Sequence, residues 1–330
     1  MLKQEFMDVV VDARSLLQQE QAEWSGHWAG YAQAITGNQG FIRSVRGSFR
    51  EWKPLRVYLN TAQAKNAKKS VKFDLRYLGQ TIAVLTVKEG ERKLSTKVKN
   101  NEIYLYETNM RDFGCDLRLD DVDWDSKEGS AFRTFFRDRQ GPRNDAGKAK
   151  NEEHRLEELW ITELLDKDNK KLPNVQAVKI GNVRFAMKTP LSASKPKELK
   201  YSGVKGGGID ILARGGIGAN TSLCILELKA ENNKPQASVD ALKQAVAYAT
   251  FIRELLRSES GAIWWRLFGF TREVPQNLVL HAACVLPSSD YNLAFQDVEL
   301  EIDDDRIKLH YVYFTEENNQ IRDVTTSLKW

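Results

Sequence analysis

The stretch GGGIDILARGGIGANTSLCILELKAE, residues 206–231, decides how this chain is read. GGGIDILARG and TSLCILELK are β-rich runs on either side of a glycine turn, so they read as two strands of a hairpin. Asp210 lies among Ile209, Ile211 and Leu212. A carboxylate inside an otherwise apolar strand is costly unless it is paired or bound to a cation. Glu227 and Lys229 are two residues apart, so on a strand they point to one face. If the hairpin closes, Asp210 and Glu227 lie side by side. Their shared pKa then rises unless a divalent ion sits between them. Magnesium takes oxygen ligands of this kind and keeps open water positions. An ammonium nearby can hold an attacking water, and the metal polarises a phosphate.

Working outward, EEHRLEELWITELLDK predicts a helix over 152–167, with Leu156, Leu159, Trp160, Leu164 and Leu165 on one side. VQAVKIG and VRFAMKT follow as strands. SVDALKQAVAYATFIRELLRS predicts a helix over 239–256, in which Gln244 and Tyr248 share a face. NLVLHAACVLP and DRIKLHYVYFTEE read as further strands.

Asp210, a 16-residue gap, and then Glu227-Leu228-Lys229 resembles the PD-(D/E)XK nuclease superfamily. The Gln244…Tyr248 helix resembles the Gln-x-x-x-Tyr variant of RecB-like members. Ile209 stands where the motif name has proline. The resemblance covers about residues 150–290. It implies an αβββαβ restriction-endonuclease-like core in the C-terminal half. It also implies Asp210 and Glu227 as ligands of Mg²⁺ or Mn²⁺, Lys229 assisting the water, and Gln244 ordering the site. A first-helix acid joins the metal in the family, and Glu153 is the candidate, with Glu157 its rival on the same face. Tyr248 falls with the nucleic-acid contacts. Double-strand cutting by this fold often uses a homodimer, and partner proteins of a defence or repair system are further expected partners.

Residues 41–99 hold 15 Lys and Arg against 4 Asp and Glu, while the whole chain carries only +4. Such a basic excess attracts phosphate backbones, so nucleic acid, DNA before RNA, is the expected partner. Lys65, Lys68, Lys69 and Lys72 are the candidate contacts. The runs between 55 and 107 predict an antiparallel meander, preceded by an amphipathic helix over 2–23. The aromatic, basic stretch 24–56 carries no assignment. The fold class expected is α/β, α+β overall, with a mainly antiparallel N-terminal domain over 1–140 and a nuclease-like domain over 141–330. The N-terminal domain either grips nucleic acid or receives a regulatory signal.

Three well-separated cysteines, Cys115, Cys224 and Cys284, and four scattered histidines predict neither a disulfide framework nor a zinc site. No 18-residue apolar run and no signal-peptide pattern occur, so a cytoplasmic chain with no membrane partner is expected. Gly215, Gly216 and Gly218 read as a turn, Asp120–Asp125 as a solvated loop, and Trp264 and Trp265 as core. The function expected is a metal-dependent endonuclease. The alternative is a non-cleaving nucleic-acid-binding or sensing protein built on the same fold.

Overall fold

The structure, a computed structural model, describes residues 2–40, 42–43, 52–60, 71–88, 91–97, 113–138, 152–166, 168, 171–193, 199–230, 236–288 and 297–330. Among them the chain is a mixed α/β protein with six α-helices and several sheets. No helix among the described residues is long and apolar enough to cross a membrane.

The chain opens with α1 (Leu2–Gln19) and α2 (Gln21–Gly37). Phe6, Val10, Ala13 and Leu17 recur at helical spacing and form the buried face of α1. Burying that face contributes roughly 5–8 kcal/mol before entropy. Trp24 and Trp28 of α2 pack edge-on against Phe251. The unassigned aromatic stretch therefore begins as a core helix.

The contacts divide the chain into two compact units, one of residues 1–33, 159–178 and 186–330, the other of 34–158 and 179–185. This differs from a division at residue 140. The amphipathic face of α1 and the tryptophans of α2 find their apolar partners among C-terminal residues, and residues 179–185 join the meander.

The second unit is built on β1 (Arg56–Asn60), β2 (Val71–Tyr77), β3 (Gln80–Lys88), β4 (Glu91–Ser95) and β5 (Val122–Asp123), with helix α3 (Lys127–Asp138). Helix α4 (Glu152–Leu165) follows, with residues 152–158 in this unit. Beyond β6 (Val175–Ala177), β7 (Lys179–Ile180) and β8 (Val183–Ala186) complete a seven-stranded sheet ordered β5-β4-β3-β2-β1-β8-β7. The β1–β4 meander is antiparallel. Leu78 and Gly79, both at positive φ, form the two-residue turn between β2 and β3. A Cβ on Gly79 would meet the His154 carbonyl oxygen at 1.9 Å, so only glycine fits there. Part of the basic excess of 41–99 is enclosed: Arg56 pairs with Glu158 at 3.4 Å and Arg76 with Glu157 at 3.2 Å. The expected contacts Lys65, Lys68 and Lys69, and the expected strand over 102–108, lie outside the described residues. Lys72 is on β2.

The first unit contains β9 (Leu191–Ser192) and β10 (Lys200–Tyr201), paired as a small ribbon, then β11 (Ile211–Gly215) and β12 (Ser222–Leu228). After α5 (Ala237–Arg257) and α6 (Gly261–Leu267) come β13 (Val279–Pro287), β14 (Glu299–Ile302), β15 (Asp305–Glu317) and β16 (Gln320–Thr326). The sheet runs β14-β15-β13-β12-β11-β6, with β16 beside β15. β11 is antiparallel to β12 and to β6. β13 is parallel to both β12 and β15. A parallel neighbour requires a crossover, and α5 supplies it. Leu223–Leu226 are fully buried, as a strand covered on both faces requires. α5 is buried nearly all round, against the sheet on one side and α1 on the other, where Lys243 pairs with Glu5 and Arg14 with Glu254.

Candidate active site

The hairpin register places Ile211 opposite Leu226, so the next pair outward is Asp210 and Glu227. Glu227 Oε1 accepts the Asp210 backbone N–H at 3.3 Å, and Asp210 Oδ2 accepts the Leu228 N–H at 2.9 Å. Glu227 is fully buried and its Oε2 has no hydrogen-bond partner. Asp210 is half-buried. Burial first, and then the neighbouring Asp210 charge, push the Glu227 carboxyl well above the usual carboxylate range. Lys229 and the Asp210 N–H pull it back. Lys229, just past the end of β12 and half-buried, is tied to the next strand by its N–H on Val285 O at 3.1 Å.

Helix α5 brings Gln244 and Tyr248 to the same end of the hairpin. Both are buried on one helix face. The Tyr248 hydroxyl is hydrogen-bonded to the Ala193 main chain and the Gln244 side chain. Burial, and then the Glu227 carboxylate, push its pKa up. Gly207 packs against this hydroxyl: a Cβ there would lie 2.3 Å from Tyr248 Oη and 2.9 Å from the Leu191 carbonyl oxygen. The glycine run 206–208 is therefore a close-packed approach to Asp210. It is held by Thr189 N–H on Gly207 O at 3.0 Å, Gly207 N–H on Leu191 O at 2.8 Å and Ile209 N–H on Met187 O at 3.0 Å.

One residue near this approach was not found from sequence. Lys188 pairs with Gly208 in an isolated bridge, and its ammonium stands 3.9 Å from the place a Gly208 Cβ would occupy. Nothing in VRFAMKT distinguishes that lysine from a surface one, because the pairing of 187–191 with 206–209 is a long-range event.

The structure thus brings together Asp210, Glu227, Lys229, Gln244 and Tyr248. Glu153 and Glu157 lie on the portion of α4 that belongs to the second unit. Glu157 is engaged there by Arg76 and by His154 Nδ1, each at 3.2 Å. Among the described residues no group of three or more His, Cys, Asp or Glu gathers around one point, so the two acids stand as a pair. The donor set nevertheless fits a divalent cation. Two adjacent carboxylates repel, and a buried oxygen without a hydrogen bond is an unmet electrostatic demand that a cation satisfies.

Trp264 and Trp265 are buried, as core residues. Cys115, Cys224 and Cys284 are buried free thiols. Asp120, Asp123 and Asp125 pair with Lys97, Lys93 and Arg92 on an exposed surface. Compared with protein-family models, with curated proteins and with solved structures, the chain finds no match.

Proposed function

We propose that this protein is a divalent-metal-dependent nuclease of the PD-(D/E)XK kind that hydrolyses phosphodiester bonds, with DNA as its substrate. The observation that carries the reading is the buried, unpartnered Oε2 of Glu227 next to Asp210, with Lys229 close enough to lower the Glu227 pKa. Asp210 and Glu227 are the residues that would hold Mg²⁺ or Mn²⁺. A bound divalent cation supplies charge against the phosphate and a water of lowered pKa. Lys229 places one positive charge at the carboxylate pair, suited to holding a water or offsetting negative charge as it develops. Gln244 and Tyr248 position the approach to Asp210 through the Tyr248 hydroxyl and Gly207.

The element order α4, β6, β11, β12, α5, β13 supports the same reading, since it follows the αβββαβ order of that superfamily. It departs from the simplest form by inserting β7–β10 between β6 and β11.

The test is a cleavage panel of plasmid, linear, single-stranded DNA and RNA, each with Mg²⁺, Mn²⁺ or EDTA. The expected result is cation-dependent cleavage that Asp210→Asn and Lys229→Met abolish. A folded protein that cuts none of the four under any condition overturns it. That result, with nucleic acid still bound, would favour the second reading, a non-cleaving sensing platform.

A further inference from the structure

A cleft of about 450 Å³ opens beside the other end of β11. Its volume lies in the usual range of small-molecule sites. Arg214 lines it, four residues along β11 from Asp210 and so roughly 13 Å away. This is a different place from the carboxylate pair.

Arg214 stands opposite Gln176 of β6 in the strand register. Its Nη2 donates to Gln176 Oε1 at 3.0 Å and its Nη1 to Gly269 O at 2.8 Å. Gly269, at φ +94°, permits this approach, since a Cβ there would lie 2.5 Å from Nη1. The guanidinium is therefore held on two sides by neutral acceptors. Its Nε is buried and has no hydrogen-bond partner. Burial lowers its pKa, and no carboxylate among the described residues stands within ion-pair distance of it. Asp166 also lines the cleft, at an exposed position, with Oδ1 accepting the Asp168 N–H of its own turn at 3.0 Å. Thr221 and Asn174 add neutral polar lining. A fixed, partly desolvated guanidinium without an anion is complementary to a carboxylate or phosphate. A separate acid in the same cleft is complementary to hydroxyl or amino hydrogens.

We infer that this cleft binds a small molecule that presents an oxyanion, phosphate or carboxylate, to Arg214 and hydroxyl or amino donors to Asp166. The inference stands apart from the nuclease reading, because it uses none of the same residues.

The experiment is isothermal titration of the full chain in EDTA with three probes: adenosine 5′-monophosphate, glutamate and inorganic phosphate. One of the first two is expected to bind saturably and at least tenfold more tightly than inorganic phosphate, which carries no body to reach Asp166. Which one wins identifies phosphate or carboxylate as the oxyanion. Arg214→Gln is expected to weaken that probe at least tenfold. Asp166→Asn, at an exposed position that folding tolerates, is expected to weaken it several-fold and leave inorganic phosphate unchanged. Saturable binding by none of the three overturns the inference, as does unaltered affinity in either variant.

Discussion

Asp210 and Glu227 hold each other's strands: the Glu227 carboxylate accepts the Asp210 N–H at 3.3 Å, and the Asp210 carboxylate accepts the Leu228 N–H at 2.9 Å. Each acid thereby fixes the main chain beneath the other, so their separation is set by hairpin register rather than by loop conformation. Burial, and then the Asp210 charge, raise the Glu227 pKa, and a cation would offset both. Mg²⁺ is therefore expected to raise the melting temperature of the wild type, by the equivalent of about 2.7 kcal/mol at a hundredfold excess over Kd. In Asp210→Asn and Glu227→Gln that rise should vanish and cleavage should fall at least about 100-fold. Thermal unfolding with and without EDTA, beside a plasmid assay, reads both.

Glu157→Ala acts on stability. Arg76 would lose the carboxylate at 3.2 Å while its guanidinium stays over the Tyr58 ring at 4.1 Å. Asp74 and Glu158 remain near Arg76, so losing one of its carboxylates costs about 2 kcal/mol rather than the full cost of a stranded charge. A clear loss in denaturant midpoint with kcat/KM within about threefold of wild type is expected. An unchanged midpoint would mean that the Arg76 pair contributes nothing to stability.

Gly207→Ala should impair both stability and cleavage, because its methyl must displace Tyr248 Oη from 2.3 Å. Overpacking of this kind costs about 1–3 kcal/mol. Tyr248→Phe removes the obstructing oxygen, so the double variant should be less destabilised than the sum of the two single ones. Additive losses in a double-mutant cycle would mean that the Leu191 carbonyl, not Tyr248, sets the limit.

Acid should weaken the fold through a buried histidine pair. His281 Nδ1 and His310 Nε2 are 2.9 Å apart, His310 Nδ1 is 3.2 Å from Ser327 Oγ, and the Trp330 ring stands edge-on to His281. Burial first lowers both, to about 3 for His281 and about 4 for His310. Lys308 adds to this in both, while Asp297 and Glu299 oppose it at His310. Between an unfolded pKa of about 6.5 and these folded values, the unfolded chain takes up protons that the folded chain refuses. Stability therefore falls as pH drops from about 6.5 toward 4. Melting temperatures across that window should fall less steeply in a double His281→Gln/His310→Gln variant. An equal slope would locate the acid sensitivity in other groups.

Neutralising Lys65, Lys68, Lys69 and Lys72 should reduce the slope of log affinity against log salt by up to about 0.9 per lysine that touches phosphate. Filter binding over a range of salt concentrations measures it. An unchanged slope would place the nucleic-acid surface elsewhere.

The hairpin was legible because its signal is local. An apolar strand ending in Glu227-Leu228-Lys229 fixes a face by period two, and α5 declares itself by length and composition. Its span is 237–257 against an expected 239–256, and that of α4 is 152–165 against 152–167. What sequence left hidden is long-range. Lys188 reaches Gly208 only after two distant segments pair. Asp305, which follows Asp303 and Asp304 in a run of three acids, is buried and accepts from Arg253 Nε at 2.7 Å, Arg257 Nε at 2.9 Å and the Leu278 N–H at 2.8 Å. Only the folded sheet brings those donors to one carboxylate. The meaning of the α1 stripe was hidden in the same way, since an amphipathic face announces burial but not against what.

That stripe has a consequence for how the chain is made. Its cover, α5, and the Asp303 that Arg14 grips leave the ribosome more than 200 residues after it. At about 5–20 residues per second, the first helix waits tens of seconds for its docking surface. During that interval its Phe6, Val10 and Leu17 are bare, and the nascent helix is an obvious client for a chaperone.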